Sequence, residues 1–368
     1  MSGVAILSAL RSPVAPRGGA LCRFDLPDLC APVLTAVLRA AGVAPGMVDE
    51  VILGNALGAG GNPARRIALA AGLDTRVAGL TLDRQCVSGL DALVLGAALI
   101  RSGQAGVVVA GGVESYSRRP LRLRTDPDGG PPVAYDRPAF TPWPERDPEM
   151  DVAAADLATE LDITRADQDD WAVQSHARAR AAQARLAAEI VPLGGLAGDA
   201  FTRDLSPRVA ARARPLAGPI TAANAAVAAD GAALCVMVSD AVAKRLGRRG
   251  ATYVAGVTLG GRPDMPGLAP VAAIRQVLQQ AGQGPGGLSV AEVMEAYAVQ
   301  AIACVRLSGL DPASVNPGGG GLARGHPVGA SGAVNAVRLW HELRVRGGLG
   351  LASIAAAGGL GTAVLLAA

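Results

Sequence analysis

Aromatic side chains are scarce in this sequence: three Phe, three Trp and four Tyr among 368 residues. A surface that stacks nucleobases needs aromatic platforms set among clustered cations. The basic residues are scattered and the formal net charge is only +3, so no nucleic-acid partner is expected. Histidine is scarcer still, with three in all, and the five cysteines (Cys22, Cys30, Cys86, Cys235 and Cys304) show no Cys-x-x-Cys spacing. Zinc needs clustered ligands, so the expectation is no metal centre. No apolar run reaches the ~18 residues that a membrane helix requires, so no membrane partner is expected. The odd cysteine count, with no secretory signal read at the start, sets the expectation of a reducing cytoplasm.

What is abundant is small: 48 glycines and many alanines, with half of the residues hydrophobic. Such a chain folds rather than staying disordered, and its backbone segments approach one another closely. Short apolar runs alternate with helical patterns. VAILSA reads as a strand, and Asp25–Gly42 reads as a helix with Asp25 as cap and Gly42 as stop. This β-α-β-α rhythm predicts a largely parallel sheet covered by helices. The rhythm breaks between Tyr116 and Pro215, where a proline- and charge-rich excursion precedes a polar helix expected over about Thr164–Glu189. Three segments recur. VDEVILGNALGAGG resembles VAEVMEAYAVQAI, DRQCVSGLDALVLGAALIRSG resembles GHPVGASGAVNAVRLWHELRVRG, and VVVAGGVES resembles SIAAAGGLGTA. The expectation is two similar α/β halves, residues 1–117 with 216–250 and residues 251–368, with 118–215 as an inserted loop domain.

Two residues stand where chemistry is expected. Cys86 ends TLDRQC and precedes a small-residue helix start. Unpaired amides and the helix dipole would there favour the thiolate, although a small buried core cysteine is the commoner fate of a free thiol. His326 lies in NPGGGGLARGHPVGASGA, a loop poorly suited to core packing and well suited to a base beside a ligand. His176 and His341 sit on helices with charged neighbours and read as solvated.

Together TLDRQCVSGLDAL, VAGGVESYSRRP, GPITAANAAVAADGAAL, EAYAVQAIA and the GHPVGASG loop resemble the thiolase superfamily in order along nearly the whole chain. The resemblance implies a five-layered αβαβα fold built from two duplicated halves, a coenzyme A-binding loop domain, and homodimers or homotetramers. It implies Cys86 as the acyl-accepting nucleophile and His326 as its activator. The backbone N–H groups of Cys86 and Ala357 would form the oxyanion hole, and Arg214 would contact the nucleotide end of coenzyme A (a solvated arginine being the plainer reading). No permanently bound cofactor is implied; the substrate is an acyl-CoA or carrier-protein thioester.

The departures from the family pattern matter as much. Met294 stands where thiolases carry a water-holding asparagine, and Ala355 where they carry a second, proton-moving cysteine. Glu149 replaces a substrate-contacting histidine, and Met150–Asp151 replaces Met-Gly. Alanine moves no proton, so reversible Claisen chemistry is expected to be impaired, while the acylation half keeps its parts. Cys235 and Cys304 read as core residues rather than replacements. The expectation is an acyltransferase delivering to a carbon, amine or alcohol acceptor in a specialised pathway. A non-catalytic scaffold with a partner protein, or an acetyl-CoA C-acyltransferase with a displaced base, are the alternatives.

Overall fold

The computed structural model describes residues 3–58 and 60–368. The apolar runs of the first part form β1 (Val4–Arg11), β2 (Glu50–Gly54), β3 (Ala78–Leu82) and β4 (Val107–Ser115). Between them run α1 (Leu26–Ala41), α2 (Pro63–Ala70) and α3 (Ser88–Arg101). Helix α1 begins at a reciprocal capping box between Asp25 and Asp28 and stops at Gly42, whose φ of 68° is left-handed.

The excursion after β4 contains a hairpin, β5 (Arg122–Arg124) with β6 (Val133–Tyr135), then α4 (Met150–Glu160) and α5 (Arg165–Ala181). The polar helix expected over Thr164–Glu189 is interrupted at Ala182 and resumes as a short helix, Gln183–Leu186, and a 3-10 turn, Ala187–Glu189. Glu189, at its end, joins a buried ion cluster described below. The regular pattern returns with β7 (Ala229–Ser239), β8 (Ala251–Gly260) and α6 (Ala269–Gln280). It continues through β9 (Leu288–Val293), α7 (Ala298–Ser308), α8 (Ser331–Arg346), β10 (Leu349–Ala356) and β11 (Leu360–Ala367).

The strands form one continuous sheet in two leaves. The first leaf has the order β3-β2-β4-β7-β1 and the second β9-β10-β11-β8. They meet only where Ala5 pairs with Thr252 and Ile6 with Ala251. Helices α3 and α8 fill the space between the leaves, packing Leu90, Leu93, Val337 and Leu339 against Met237 of β7 and Ile354 of β10. Helices α1 and α2 cover the outside of the first leaf, and α6 covers the outside of the second. The result is five layers, as the fold-class expectation had it. The sheet is less parallel than the rhythm predicted. β2 runs parallel to β3 and β4, and β9 to β10, but the other sheet pairings are antiparallel. Two connections cause this: the tight hairpin between β10 and β11, and the return of β7 from the excursion between β4 and β1.

Charged residues are also buried. Arg11 Nε lies 2.6 Å from Glu189 Oε1 and Arg338 Nη1 2.6 Å from Glu189 Oε2, with all three side chains essentially inaccessible. Asp199 takes Arg11 Nη1 at 2.6 Å, and Glu342 takes Arg338 Nη2 at 2.5 Å. This cluster ties β1, the excursion and α8 together in one buried network.

Candidate active site

The turn from β3 to α3 carries Cys86. Gln85 is left-handed (φ 55°), a conformation uncommon outside glycine. Asp83 holds it there by accepting from Gln85 N–H at 2.8 Å, while Ser88 Oγ accepts from Arg84 N–H (2.8 Å) and donates to Gln85 C=O (2.6 Å). The tightened turn leaves Cys86 partly exposed on the wall of a cleft of about 420 Å³.

The second turn carries His326. Gly325 has φ 111°, and a Cβ there would lie 2.8 Å from Ala229 Cβ, so only glycine fits. His326 N–H donates to Val227 C=O at 2.7 Å, and His326 C=O accepts from Ala229 N–H at 3.3 Å. This stitch points the imidazole at Cys86. Nε2 lies 3.2 Å from Cys86 Sγ and Nδ1 2.6 Å from Ser331 Oγ. The tautomer with its proton on Nδ1 satisfies both contacts, donating to Ser331 and accepting from the thiol.

The electrostatics set the resting state. Burial and then the charge of Glu114 push the Cys86 thiol up to about 12, although the N–H groups of Cys86 and Ala357 pull the other way. Burial pushes His326 down to about 4. The expected stabilised thiolate is therefore not the resting form, because desolvation outweighs the helix terminus. Neutral thiol faces neutral imidazole, and Nε2 stands where it can take the thiol proton as the sulfur attacks.

Glu114, at the end of β4, was not singled out in the sequence. Its buried carboxylate accepts from Asn55 Nδ2 (2.7 Å), Ala56 N–H (3.0 Å) and Gly329 N–H (2.9 Å), binding the loop after β2 to the histidine-bearing loop. Its signal was a lone charge ending an apolar run. Glu295 plays a matching part beyond β9, accepting from Trp171 Nε1 (3.0 Å), Ser175 Oγ (2.7 Å) and Asn316 Nδ2 (2.8 Å). Besides the contact of His326 with Cys86, backbone of the two reactive turns meets directly. A Cβ on Gly89 would lie 2.7 Å from Gly329 C=O, and one on Gly329 would lie 2.8 Å from Asn55 Cα.

Ala355, Ala356 and Ala357 line the cleft opposite the thiol, and Glu149 and Met150 lie on its wall. Met294 does not face it. Its side chain is buried in the central core, while Ala296 and Tyr297 line the cleft instead. Arg214 is exposed and stands apart from the cleft wall, which carries Arg122 and Arg137 as its cations. Cys235 is buried in β7, and Cys304 is buried behind Gln300. Two histidine expectations fail. His176 is buried, packs on Phe201 (ring centroids 5.8 Å apart) and accepts from Arg203 N–H. His341 reaches Ala9 C=O from Nε2 at 2.8 Å. His176 is thus buried rather than solvated, while His341 is half-buried and tied to β1.

The sequence matches the thiolase N-terminal domain over residues 4–241 and the thiolase C-terminal domain over residues 248–368. It is 39% identical to an acetyl-CoA acetyltransferase of Cupriavidus necator, covering 99% of each chain. An acetyl-CoA acetyltransferase of Pseudomonas aeruginosa is 38% identical over the full length of both. Among solved structures, the Bacillus anthracis acetyl-CoA acetyltransferase superposes with TM-score 0.94 at 34% identity, covering 100% of this chain and 99% of that one. The Acat5 thiolase of Ascaris suum, solved with coenzyme A, superposes with TM-score 0.92 at 31% identity, covering 99% of each. With both halves matched and relatives aligned end to end, this chain belongs to the thiolase family of acyltransferases.

Proposed function

We propose that this acyltransferase takes an acyl group from a CoA or carrier-protein thioester onto Cys86 and passes it to an acceptor that needs no base at position 355. The observation that carries this reading is the 3.2 Å contact between His326 Nε2 and Cys86 Sγ, made in a cleft where Ala355 presents only a methyl group. In the first half-reaction the thiol proton passes to Nε2 and the sulfur attacks the thioester carbonyl. The N–H groups of Cys86 and Ala357 both reach that sulfur, which supports giving them the developing oxyanion to hold. The C–S bond to the leaving thiol breaks and that thiol takes the proton from His326, so no permanent cofactor is needed. The specialised-pathway reading rests on Ala355 and Met294. Segment 118–215 supplies α4 and the cations of the cleft wall, which supports its assignment to coenzyme A binding; Arg214 would then act only beyond the cleft.

Intact-mass measurement after mixing with a panel of acyl-CoAs tests the reading. The expected result is one acyl group, mapped to Cys86. Binding of CoA without any acyl adduct would leave the scaffold alternative standing. Rapid formation of acetoacetyl-CoA would instead point to a displaced base and to the activity named for the relatives.

The partner we propose is a second copy of this chain. Among the described residues β3 is hydrogen-bonded on one side only, at the edge of the first leaf, and Leu80 on it is 44% exposed. Edge strands left open in this way invite pairing. Sedimentation should show a dimer or tetramer, shifted toward monomer by Leu80→Lys; a monomeric native chain would refute the proposal.

A further inference from the structure

Tyr297 and Asp151 form a second proton-bearing contact beside the cleft. Tyr297 caps α7 and lines the same cavity as Cys86, His326 and Ala355. Its hydroxyl donates to Asp151 Oδ1, in the first turn of α4, at 2.6 Å. Tyr297 is among the residues lining the cleft and Asp151 is not. Two elements distant in sequence thus couple a tyrosine of the cleft wall to a carboxylate. Burial, and then Asp151, push the phenol upward, so Tyr297 keeps its proton at rest; the charge of Glu149 acts in the same sense. Glu149 is itself drawn toward Arg137, whose Nε lies 3.7 Å away.

We propose that Tyr297, relaying to Asp151, accepts the proton in the second half-reaction, and that the acyl acceptor is a hydroxyl or amine rather than a carbon acid. This rests on the acyl-Cys86 reading above. The acceptor gives its proton to the phenol oxygen as the phenol passes its own to Asp151. The freed lone pair bonds to the acyl carbon, and the carbonyl electrons move to oxygen. On collapse the C–S bond breaks and sulfur leaves with its electron pair. Asp151 returns its proton through Tyr297 to solvent and the thiolate takes one from solvent. The net change is acceptor-H plus acyl-cysteine giving acylated acceptor plus free thiol. Protons on oxygen and nitrogen move along such hydrogen bonds, whereas a C–H makes no comparable hydrogen bond to guide its transfer and needs its own positioned base.

The test uses the full chain acetylated from acetyl-CoA. Discharge is followed by mass into glycerol, ethanolamine, a second acetyl-CoA, malonyl-CoA and hydroxylamine, the last being nucleophilic without a base. Wild type should discharge fastest, hydroxylamine aside, into the alcohol or the amine, and the two arms tell those apart. In Tyr297→Phe and Asp151→Asn the rates of loading and of reaction with hydroxylamine are measured alongside as references. Their transfer to the preferred acceptor should fall by about 10²-fold, the usual share of general base catalysis. Unchanged transfer in both variants overturns the inference, as does faster discharge into either carbon donor or no discharge into alcohol or amine. Tyr297→Phe that stays folded but fails to load would place Tyr297 in acylation and also overturns it; should that variant unfold, Asp151→Asn decides. Each of these leaves acyl-Cys86 standing in the wild type. Failure of the wild type to load at all is a separate result, against the parent reading.

Discussion

Cys86→Ala should lower release of free CoA from acetyl-CoA by about 10⁵-fold or more, with the fold unchanged. Removing a nucleophile leaves only binding and oxyanion donors, and losses of this size are usual. The geometry argues for the upper end. His326, held down to about 4, is a weak base matched to a thiol that attacks as it loses its proton. It cannot raise water or a serine hydroxyl to the same reactivity, so Cys86→Ser should fall almost as far. His326→Ala should cost less, about 10²- to 10⁴-fold, because the thiol keeps its own nucleophilicity. Thermal unfolding should be nearly native in the cysteine variants, since the side chain lies at the cleft and not in the packed interior. Stopped-flow release of CoA, with intact mass as the second readout, measures this. Residual activity above a tenth of wild type in Cys86→Ala would show that the acyl group travels by another residue.

Glu189→Ala should destabilise the chain by about 3–5 kcal/mol, the cost of removing one partner from a buried ion pair. Arg11 and Arg338 each give Glu189 a hydrogen bond of 2.6 Å with no solvent to replace it. Without the carboxylate two guanidinium groups remain in the interior, with Asp199 and Glu342 only partly compensating. The urea midpoint at pH 7 reports the loss. A change below about 1 kcal/mol would mean that water enters the cluster freely. The effect has a pH signature. Burial pushes the Glu189 carboxyl upward, but Arg11 and Arg338 outweigh it and hold the group at about 2, below its ordinary 4.5. A group depressed in this way adds stability that is complete above about pH 4.5 and is lost as pH falls toward 2. The gap between wild type and variant should narrow over that window and stay constant above it.

The pair Cys86 and His326 was legible because both signals are local: a thiol before a helix start and a histidine in a glycine-rich loop. The limits of α1 were legible for the same reason, since Asp25 and Gly42 act on their own neighbours. Glu114 was not legible. A lone carboxylate declares nothing until Asn55, Ala56 and Gly329 bring their donors to it from elsewhere in the chain. His176 was misread because its helix shows charge along its length, while the segment bearing Phe201 and Arg203 folds over one face. The predicted parallel sheet failed on the same ground. Strand direction depends on where the chain re-enters the sheet, and periodicity within a strand carries no trace of that. The Tyr297–Asp151 contact joins two segments that periodicity could not bring together.

The seam at Gly89 and Gly329 has a bearing on how firmly the thiol and imidazole are spaced. Where side chains meet, rotamers can adjust and a neighbour can give way. Here the helix after the cysteine and the turn after the histidine abut through peptide atoms, which have no torsions of their own to yield. The distance between the two reactive atoms is therefore gauged by the thickness of the backbone. Adding a single methyl group at Gly89 would meet the backbone of Gly329 and Ala333 and wedge the turns apart; one at Gly329 would press instead on Asn55 and Ala56.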